Sequence, residues 1–333
     1  WVSLRVGKPD PYVIVGEVKG LSISGEFAVV FEALNIWGDS GALSYCNDEN
    51  AAVVAYRDYD EAVAASFSGA PSSEVYGDEG DVRMGLETLG SLRPMMNRGS
   101  VAALQYPLGS GGVAYFALAV SESVNDALIK VRDYLRSVDD VLRRSAEDYE
   151  RRRVKVTGGE FNGVAQAIMD AVSWNTVWDP YNARMYTVVS REWASGSWFG
   201  YLLFEWDTFF NALLASVGDC EIAEANIKSM LSEILPRGVV PNWAGLRMGV
   251  RGRASADRAQ PPVASYITWR VYLKCGDLMM LKWAYPYLKR FREWWFKARD
   301  CNNYGLLEWG SDPVGSDKSR HTLKAAKFES GLD

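Results

Sequence analysis

The sequence is short of histidine and cysteine, and both shortages narrow the chemistry that it supports. His321 is the single histidine among the 333 residues. Ser-His-Asp catalysis, Cys-His catalysis and His-rich zinc sites would all depend on this one side chain, so we expect any catalysis to use carboxylates. The four cysteines show neither CxxC spacing nor the density of a disulfide-rich domain. We therefore predict buried free thiols and a reducing, cytoplasmic compartment.

Long apolar runs and basic clusters are absent as well. No apolar run reaches the roughly 18 residues of a membrane span. Residues 1–20 lack the basic-then-apolar order of a signal peptide, although a chain that begins at Trp1 leaves a trimmed leader open. The formal net charge is -6, and the Lys and Arg residues are interspersed with acids. Without a basic stripe to follow a phosphate backbone, we expect neither nucleic acid nor a membrane as a partner.

Aromatic residues, by contrast, are abundant, with 13 Trp and 17 Tyr. The Trp indole N–H needs a partner, which makes complete burial of the ring costly. Such an excess either fills a large helical core or lines a concave site in which flat rings stack on sugars. Hydrophobic residues make up 48% of the chain, enough core for two domains or for one domain and part of another.

Residues 1–120 have the pattern of an antiparallel β-sandwich. Short β-branched runs at Tyr12 to Val18, Phe27 to Phe31, Ala51 to Tyr56 and Val113 to Val120 are separated by turn residues. The polar, Gly-rich stretch from Ser68 to Asp81 predicts a surface loop. In residues 121–158 apolar residues recur every three, four or seven positions, which predicts a long linker helix packed between two domains.

Residues 159–333 read as helices and loops only. The apolar repeats are Val164 to Val177, Leu202 to Val217, Ala223 to Leu235, Val263 to Cys275 and Leu278 to Ala298. Gly276 is expected to end one helix, Asp277 to cap the next, and Pro286 to start a new segment or kink the last. Helices that alternate with aromatic, Gly-rich loops favour paired helices around a central site.

An acid inside the apolar run Leu202 to Ala215 needs a reason, because a buried carboxylate is costly unless it is paired or used. Asp207 either caps the helix by accepting a backbone N–H of Phe209 or Phe210, or belongs to a functional site. Four loop clusters accompany it: Phe204 to Asp207, Val240 to Trp243, Ala259 to Pro262 and Phe328 to Asp333. Each also has a purely structural explanation, as helix starts, core or solvated residues.

Taken together, these clusters resemble a known enzyme family. The motifs are WDTFF (206–210), PNW (241–243), QPP (260–262), LLEWGSDP (306–313) and FESGLD (328–333). In this order they resemble the catalytic domain of glycoside hydrolase family 63 and its relatives, which include trehalases and mannosylglycerate hydrolases. The resemblance implies an N-terminal β-sandwich, a linker helix and, over residues 159–333, the first part of an (α/α)6 barrel.

The resemblance also implies roles for individual residues. Asp333 matches the general acid, and Asp207 lines the subsite of the cleaved sugar beside Trp206. Gln260 matches a sugar-binding glutamine, and Phe328 stands where relatives often carry Trp. The remaining motif residues are expected to contact substrate, and they are Asn242, Trp243, Trp309 and Glu329. Some relatives bind calcium; the loop with Asp312 and Asp317 is either such a site or an ordinary solvated loop, and we otherwise expect no cofactor.

The reaction implied is the inverting hydrolysis of an α-linked glucosyl or mannosyl residue in a small saccharide or glycoside. Inverting enzymes use one carboxylic acid on the leaving oxygen and a second carboxylate, roughly 6.5 to 9.5 Å away, on the attacking water. In the family this base is a Glu far downstream of Asp333, so we expect it from a C-terminal remainder or a second chain. Two alternatives stay open: a trehalase, and a non-catalytic carbohydrate-binding or scaffold protein.

Overall fold

The computed structural model describes residues 1–21, 26–32, 43–46, 51–56, 61–68, 73–77, 82, 84–89, 101–107, 113–155, 159–179, 182–191, 201–247, 250–313 and 322–332. The chain divides into two compact units, and the boundary falls between Arg153 and Val154. Across the described residues, no helix combines the length and apolarity needed to cross a membrane.

The described part of the first unit is built on two antiparallel sheets. Its strands are β1 (Val2–Asp10), β2 (Val13–Gly20), β3 (Glu26–Glu32), β4 (Leu43–Cys46), β5 (Ala51–Tyr56), β6 (Glu61–Phe67), β7 (Ser73–Gly77), β8 (Val101–Pro107) and β9 (Val113–Ser121), with a π-helical turn at Gly85–Leu89. The larger sheet has the order β1-β2-β9-β6-β5-β4, and the smaller has the order β3-β8-β7. The four predicted strands are present. The sequence predicts a surface loop from Ser68 to Asp81, and this prediction is wrong for Ser73–Gly77, which forms strand β7.

Two helices, α1 (Val124–Leu135) and α2 (Val138–Arg152), cover one face of the larger sheet. Val131 of α1 and Leu142 of α2 are buried in one cluster with Val13 and Val15 of β2. The sequence predicts one linker helix between two domains. The break between α1 and α2 instead lets α1 pack on β6 and β9 while α2 packs on β1 and β2. The apolar stripe is therefore used inside the first unit.

The second unit mixes helices with short strands. Its elements are α3 (Val164–Asn175), β10 (Thr176–Asp179), β11 (Arg184–Thr187), β12 (Leu202–Phe204), α4 (Glu205–Ala215), α5 (Cys220–Leu231), β13 (Trp243–Arg247), β14 (Val250–Ala254), α6 (Ala264–Cys275), α7 (Leu278–Arg299) and α8 (Leu323–Glu329). Strands β10 and β11 pair with each other, and β12, β13 and β14 form a three-stranded sheet. The expectation of helices and loops alone is wrong, because these short strands depend on pairing with partners elsewhere in the chain rather than on a local apolar pattern. The expected combination of antiparallel sheet and helices is confirmed, whereas the sandwich and barrel layouts stay predictions.

Local sequence signals at the helix ends are confirmed. Gly276 follows α6 with a φ of 77°, the left-handed conformation that glycine adopts without strain. Asp277 caps α7, and its Oδ1 accepts the backbone N–H groups of Met279 at 2.7 Å and Met280 at 3.1 Å. Pro286 lies inside α7, which continues past it as one helix. The hydrophobic core of the second unit includes the fully buried residues Phe209 of α4, Ile227 of α5 and Ile267 of α6.

The cysteines differ from the prediction. Cys220 at the start of α5 and Cys275 at the end of α6 form a disulfide bond, with a Cα–Cα distance of 5.7 Å. Cys46 and Cys301 are free thiols. The bonded pair is separated by 55 residues, so only the packing of the helices brings the two sulfurs together and the spacing along the chain carries no signal. The prediction of free thiols throughout is therefore wrong.

The disulfide gives a first prediction. In the chain-entropy relation, a closed loop of 55 residues corresponds to about 4 kcal/mol of stabilisation. We expect the double substitution Cys220→Ser with Cys275→Ser to lower the free energy of unfolding by about that amount, as measured by chemical denaturation. Serine at the exposed, unbonded Cys301 is the control and should leave the midpoint unchanged. Equal midpoints for the double variant and the native protein would contradict the bond.

Candidate active site

The first turn of helix α4 carries Glu205, Trp206 and Asp207, and it follows strand β12 directly. Strand β12 pairs with β13, which sets Phe204 opposite Trp243. The backbone N–H of Glu205 donates to the carbonyl oxygen of Asn242 at 3.0 Å. The PNW motif is thereby held against the start of the helix that carries WDTFF.

The QPP motif adjoins the same helix start. Gln260 is 9% exposed, and its side-chain Oε1 accepts the backbone N–H of Trp206 at 2.9 Å. Helix N-termini leave their first N–H groups without intrahelical partners. Here Asn242 and Gln260, far along the chain, satisfy two of these groups. Phe204 occupies the N-cap position and forms no side-chain cap bond. Asp207 is therefore not the N-cap, which was one of the two alternatives in the sequence analysis.

Gly331 joins the FESGLD motif to these residues. Its φ is 72°, and a Cβ built on it would lie 2.9 Å from Cη2 of Trp206 and 3.0 Å from Cγ of Pro261. Both the left-handed backbone and this close approach require glycine. The backbone just after α8 therefore packs directly on the WDTFF and QPP motifs. Asp333 follows two residues later but lies outside the described residues, as do His321 and Asp317.

Glu329 binds three separate segments of the chain. It is fully buried, and its Oε1 accepts the backbone N–H of Ala259 at 3.1 Å and Nη2 of Arg299 at 2.8 Å. Its Oε2 accepts Nε of Arg299 at 2.6 Å and the backbone N–H of Gly310 at 2.7 Å. Both oxygens are engaged by protein donors, so in this arrangement the predicted substrate-binding residue Glu329 holds protein segments together.

Arg299 connects this pair to the LLEWGSDP motif. It is 3% exposed, and its Nη1 donates to Oδ1 of Asp312 at 2.9 Å. Burial alone would lower the pKa of Arg299, but the carboxylates of Glu329 and Asp312 hold it above its ordinary value. The other oxygen of Asp312 pairs with Arg237 at 2.7 Å. The carboxylate of Asp312, which the sequence analysis named as a candidate calcium ligand, is thus bound by two guanidinium groups. The described residues contain no cluster of metal-binding side chains.

The remaining predicted site residues differ in exposure. Trp206, Asp207, Trp243 and Phe328 are half-buried, Asn242 is buried and Trp309 is exposed. The Trp309 ring packs edge-on against Trp295, with 5.7 Å between ring centroids. Phe328 has two cationic neighbours, because Arg258 and Lys324 each lie 5.6 Å from its ring centroid. The half-buried aromatic side chains can therefore still contact a ligand.

Glu205 is a buried acid that the sequence analysis did not assign to the site. It is 0% exposed, and neither of its carboxyl oxygens has a hydrogen-bond partner within the described part of the chain. Burial raises the pKa of Glu205 well above its ordinary value, the charges of Asp207 and Glu329 add to the shift, and the backbone N–H of Gln260 opposes it from outside hydrogen-bonding geometry. The sequence did contain a signal for this residue, because Glu205 is a second acid beside Asp207 in the apolar run Leu202 to Ala215.

Comparison with known proteins finds similarity to glycoside hydrolases. Residues 200–326 match the family described as "Mannosylglycerate hydrolase MGH1-like glycoside hydrolase domain", a region that includes every motif except FESGLD. A bacterial glucoamylase complexed with acarbose aligns with a TM-score of 0.58 and 12% identity over 86% of this chain and 44% of its own. A GH92-family glycosyl hydrolase aligns with a TM-score of 0.33 and 11% identity over 87% of this chain and 46% of its own.

The family match confirms the resemblance to glycoside hydrolases that the motifs indicate. Residues 200–326 are similar to a glycoside hydrolase domain, and the similarity to the glucoamylase shows a shared fold. The chain spans less than half of the glucoamylase's length. It is therefore similar to part of a larger helical glycosidase.

Gly331 gives a second prediction. We expect Gly331→Ala to lower the free energy of unfolding through left-handed strain and through the contact with Trp206 and Pro261. Gly276→Ala is the matched control, because Gly276 has a φ of 77° with nothing within 4 Å of its Cβ position. Gly331→Ala should cost about 1 kcal/mol or more beyond the control in chemical denaturation. Equal losses would show that the close packing on Trp206 does not constrain the protein.

The buried ion pair gives a third prediction. Arg299→Met leaves the Glu329 carboxylate buried without its cation, which typically costs about 3–5 kcal/mol. Lys289→Met on the same helix is the control, because Lys289 and Glu293 form an exposed pair at 3.9 Å and such pairs contribute less than about 1 kcal/mol. Replacing Arg299 and Glu329 together by Met and Leu should recover part of the loss. Denaturation of these three variants and of Glu329→Leu alone measures the differences, and a loss in the double variant equal to the sum of the two single losses would contradict the direct coupling.

Proposed function

We propose that this chain is part of an inverting glycoside hydrolase that removes an α-linked glucosyl or mannosyl residue from a small glycoside. The observation that carries the proposal is the convergence of five sequence motifs on one place, through Asn242, Gln260, Gly331 and Glu329. Four of these motifs lie in the region that matches a glycoside hydrolase domain. Local structure does not bring together residues that are so far apart in sequence, so a shared site is the best explanation of their contacts.

We assign the roles by the resemblance and by position. Asp333 is the general acid that protonates the leaving oxygen, and its place in the sequence is two residues after the glycine that packs on Trp206. Asp207 accepts hydrogen bonds from sugar hydroxyls, and Trp206 and Gln260 form the wall of that subsite. Three further residues contribute contact surface, and they are Trp243, Trp309 and Phe328. Asn242 supports the turn through its backbone, as its bonds to Glu205 and Arg258 favour.

The general base is a Glu outside this sequence, supplied by a C-terminal remainder or by a second chain. In this proposal the two sheets of the first unit form a β-sandwich, and the helices of the second unit form the first part of an (α/α)6 barrel. Val29 of β3 packs against buried residues of the larger sheet, which supports the sandwich. The predicted cytoplasmic location rested on free thiols, and the Cys220–Cys275 bond removes that support because disulfides persist mainly in oxidising compartments.

The role of Asp333 is tested in the complete enzyme. We expect Asp333→Asn to reduce kcat for an alkyl glycoside by about 10²–10⁴-fold, the usual contribution of general acid catalysis. The loss should be smaller for a 4-nitrophenyl glycoside, because a leaving group of low basicity needs less protonation. Steady-state kinetics on glucosides and mannosides of both kinds measure the difference.

Asp207→Asn is the matched comparison for this experiment. It should weaken ground-state binding of the sugar, so KM should rise with both leaving groups alike. Equal rate losses for both leaving groups in Asp333→Asn would contradict its role as the acid. Intact-mass measurement of the natural protein against 37.0 kDa identifies the remainder or companion that supplies the base. Binding of sugars without turnover in that complete protein would favour a carbohydrate-binding protein.

A further inference from the structure

Glu205 is a buried acid to which the proposed mechanism assigns no task. It begins helix α4, immediately before Trp206 and two residues before Asp207. Its side chain is 0% exposed, and both carboxyl oxygens are completely buried without a hydrogen-bond partner in the described residues. An ionised carboxylate in such surroundings would carry a large desolvation cost that the opposing contribution of the Gln260 backbone N–H does not outweigh, so the group keeps its proton instead.

Within the described part of the chain, the charges that act on Glu205 are negative. Asp207 lies on the same helix turn, and Glu329 approaches from α8. Glu329 has its own cation, because Arg299 of α7 donates to both of its oxygens. The segment that contains Gln260 presents a backbone N–H toward Glu205 without forming a hydrogen bond. The three carboxyl groups therefore differ in environment: Glu329 is paired with arginine, Asp207 is half-buried, and Glu205 is buried with no hydrogen-bond partner among the described residues.

We propose that Glu205 is a third carboxyl group of the candidate active site, an uncharged positioning residue that leaves Asp207 as the ionised member of the pair. A protonated Glu205 fills the space beside the helix start without adding a second negative charge next to Asp207. Ionisation of Glu205 would force the first turn of α4 to rearrange or Asp207 to take up the proton. The effect on sugar binding rests on the proposed function, whereas the uncharged state of Glu205 does not.

The charge state of Glu205 is tested by the pH dependence of unfolding. A carboxyl group whose folded-state pKa is raised stays protonated in the folded protein after the unfolded chain has released its proton. The folded state then loses stability as the pH rises above the ordinary value of 4.5, until the folded pKa is reached. Glu205→Gln removes this penalty. Relative to Glu205→Gln, the unfolding constant of the native protein should rise by up to tenfold per pH unit over that range.

Two further variants make the unfolding test decisive. Glu221→Gln, at an exposed position in the first turn of α5, is the matched control, because it removes a glutamate carboxyl that is in contact with solvent. The stability of Glu205→Met should depend on pH in the same way as that of Glu205→Gln, because a neutral carboxyl without a hydrogen-bond partner gains little from its polarity. If both Glu205 variants are less stable than the native protein at neutral pH, with a deficit that grows as the pH rises, Glu205 is ionised and paired and the proposal is overturned.

The positioning role is tested by kinetics of the complete enzyme on the glycoside that it cleaves best. The KM of the native protein should rise with pH as Glu205 ionises, and the KM of Glu205→Gln should rise less, whereas Glu221→Gln should follow the native protein. Identical KM profiles for Glu205→Gln and the native protein would overturn the positioning role. If no glucoside or mannoside is hydrolysed, the proposed function fails, and the unfolding experiment still decides whether Glu205 is uncharged.

Discussion

The buried ion pair of Arg299 and Glu329 is the interaction on which the arrangement of the second unit depends. Removing two charges from water is costly, and the cost is offset only when the geometry is good and the remaining donors and acceptors are satisfied. Here Glu329 accepts four hydrogen bonds, and Arg299 also binds Asp312. The pair links helices α7 and α8 to the segments around Ala259 and Gly310. The site therefore forms only when residues 70 positions apart have come together.

The same long-range construction explains what is unusual about helix α4. An ordinary helix start uses a local side chain as its cap, and an acid in the first turn would be adequate. In this protein the backbone of Asn242 and the side chain of Gln260 satisfy the first N–H groups. Asp207 is thereby not needed as the N-cap. A carboxylate at the positive end of a helix is electrostatically favourable, so its presence there costs less than the apolar sequence around it implies.

What could be predicted from the sequence follows the range of the interactions. Helices α6 and α7, with Gly276 and Asp277 between them, are set by local periodicity and capping, and they were predicted closely. Strands β10 to β14 are three to five residues long, and their pairing depends on partners elsewhere in the chain. The Cys220–Cys275 bond lacks a spacing signal for the same reason. The family motifs named the residues that meet, but not that Glu329 binds Arg299 or that Glu205 lies buried beside Asp207.

The three carboxyl groups of this region lie in different surroundings. Glu329 has a cation and four donors, Glu205 has no hydrogen-bond partner among the described residues, and Asp207 is half-buried. Burial raises the pKa of Glu205 well above its ordinary value, and sites that perform acid and base chemistry use such raised carboxyl groups. A structural core has little use for an unpaired acid, because an apolar residue of similar volume would fill the same space at lower cost. The presence of Glu205 beside Trp206 and Asp207 is therefore explained better by the site that we propose than by packing alone.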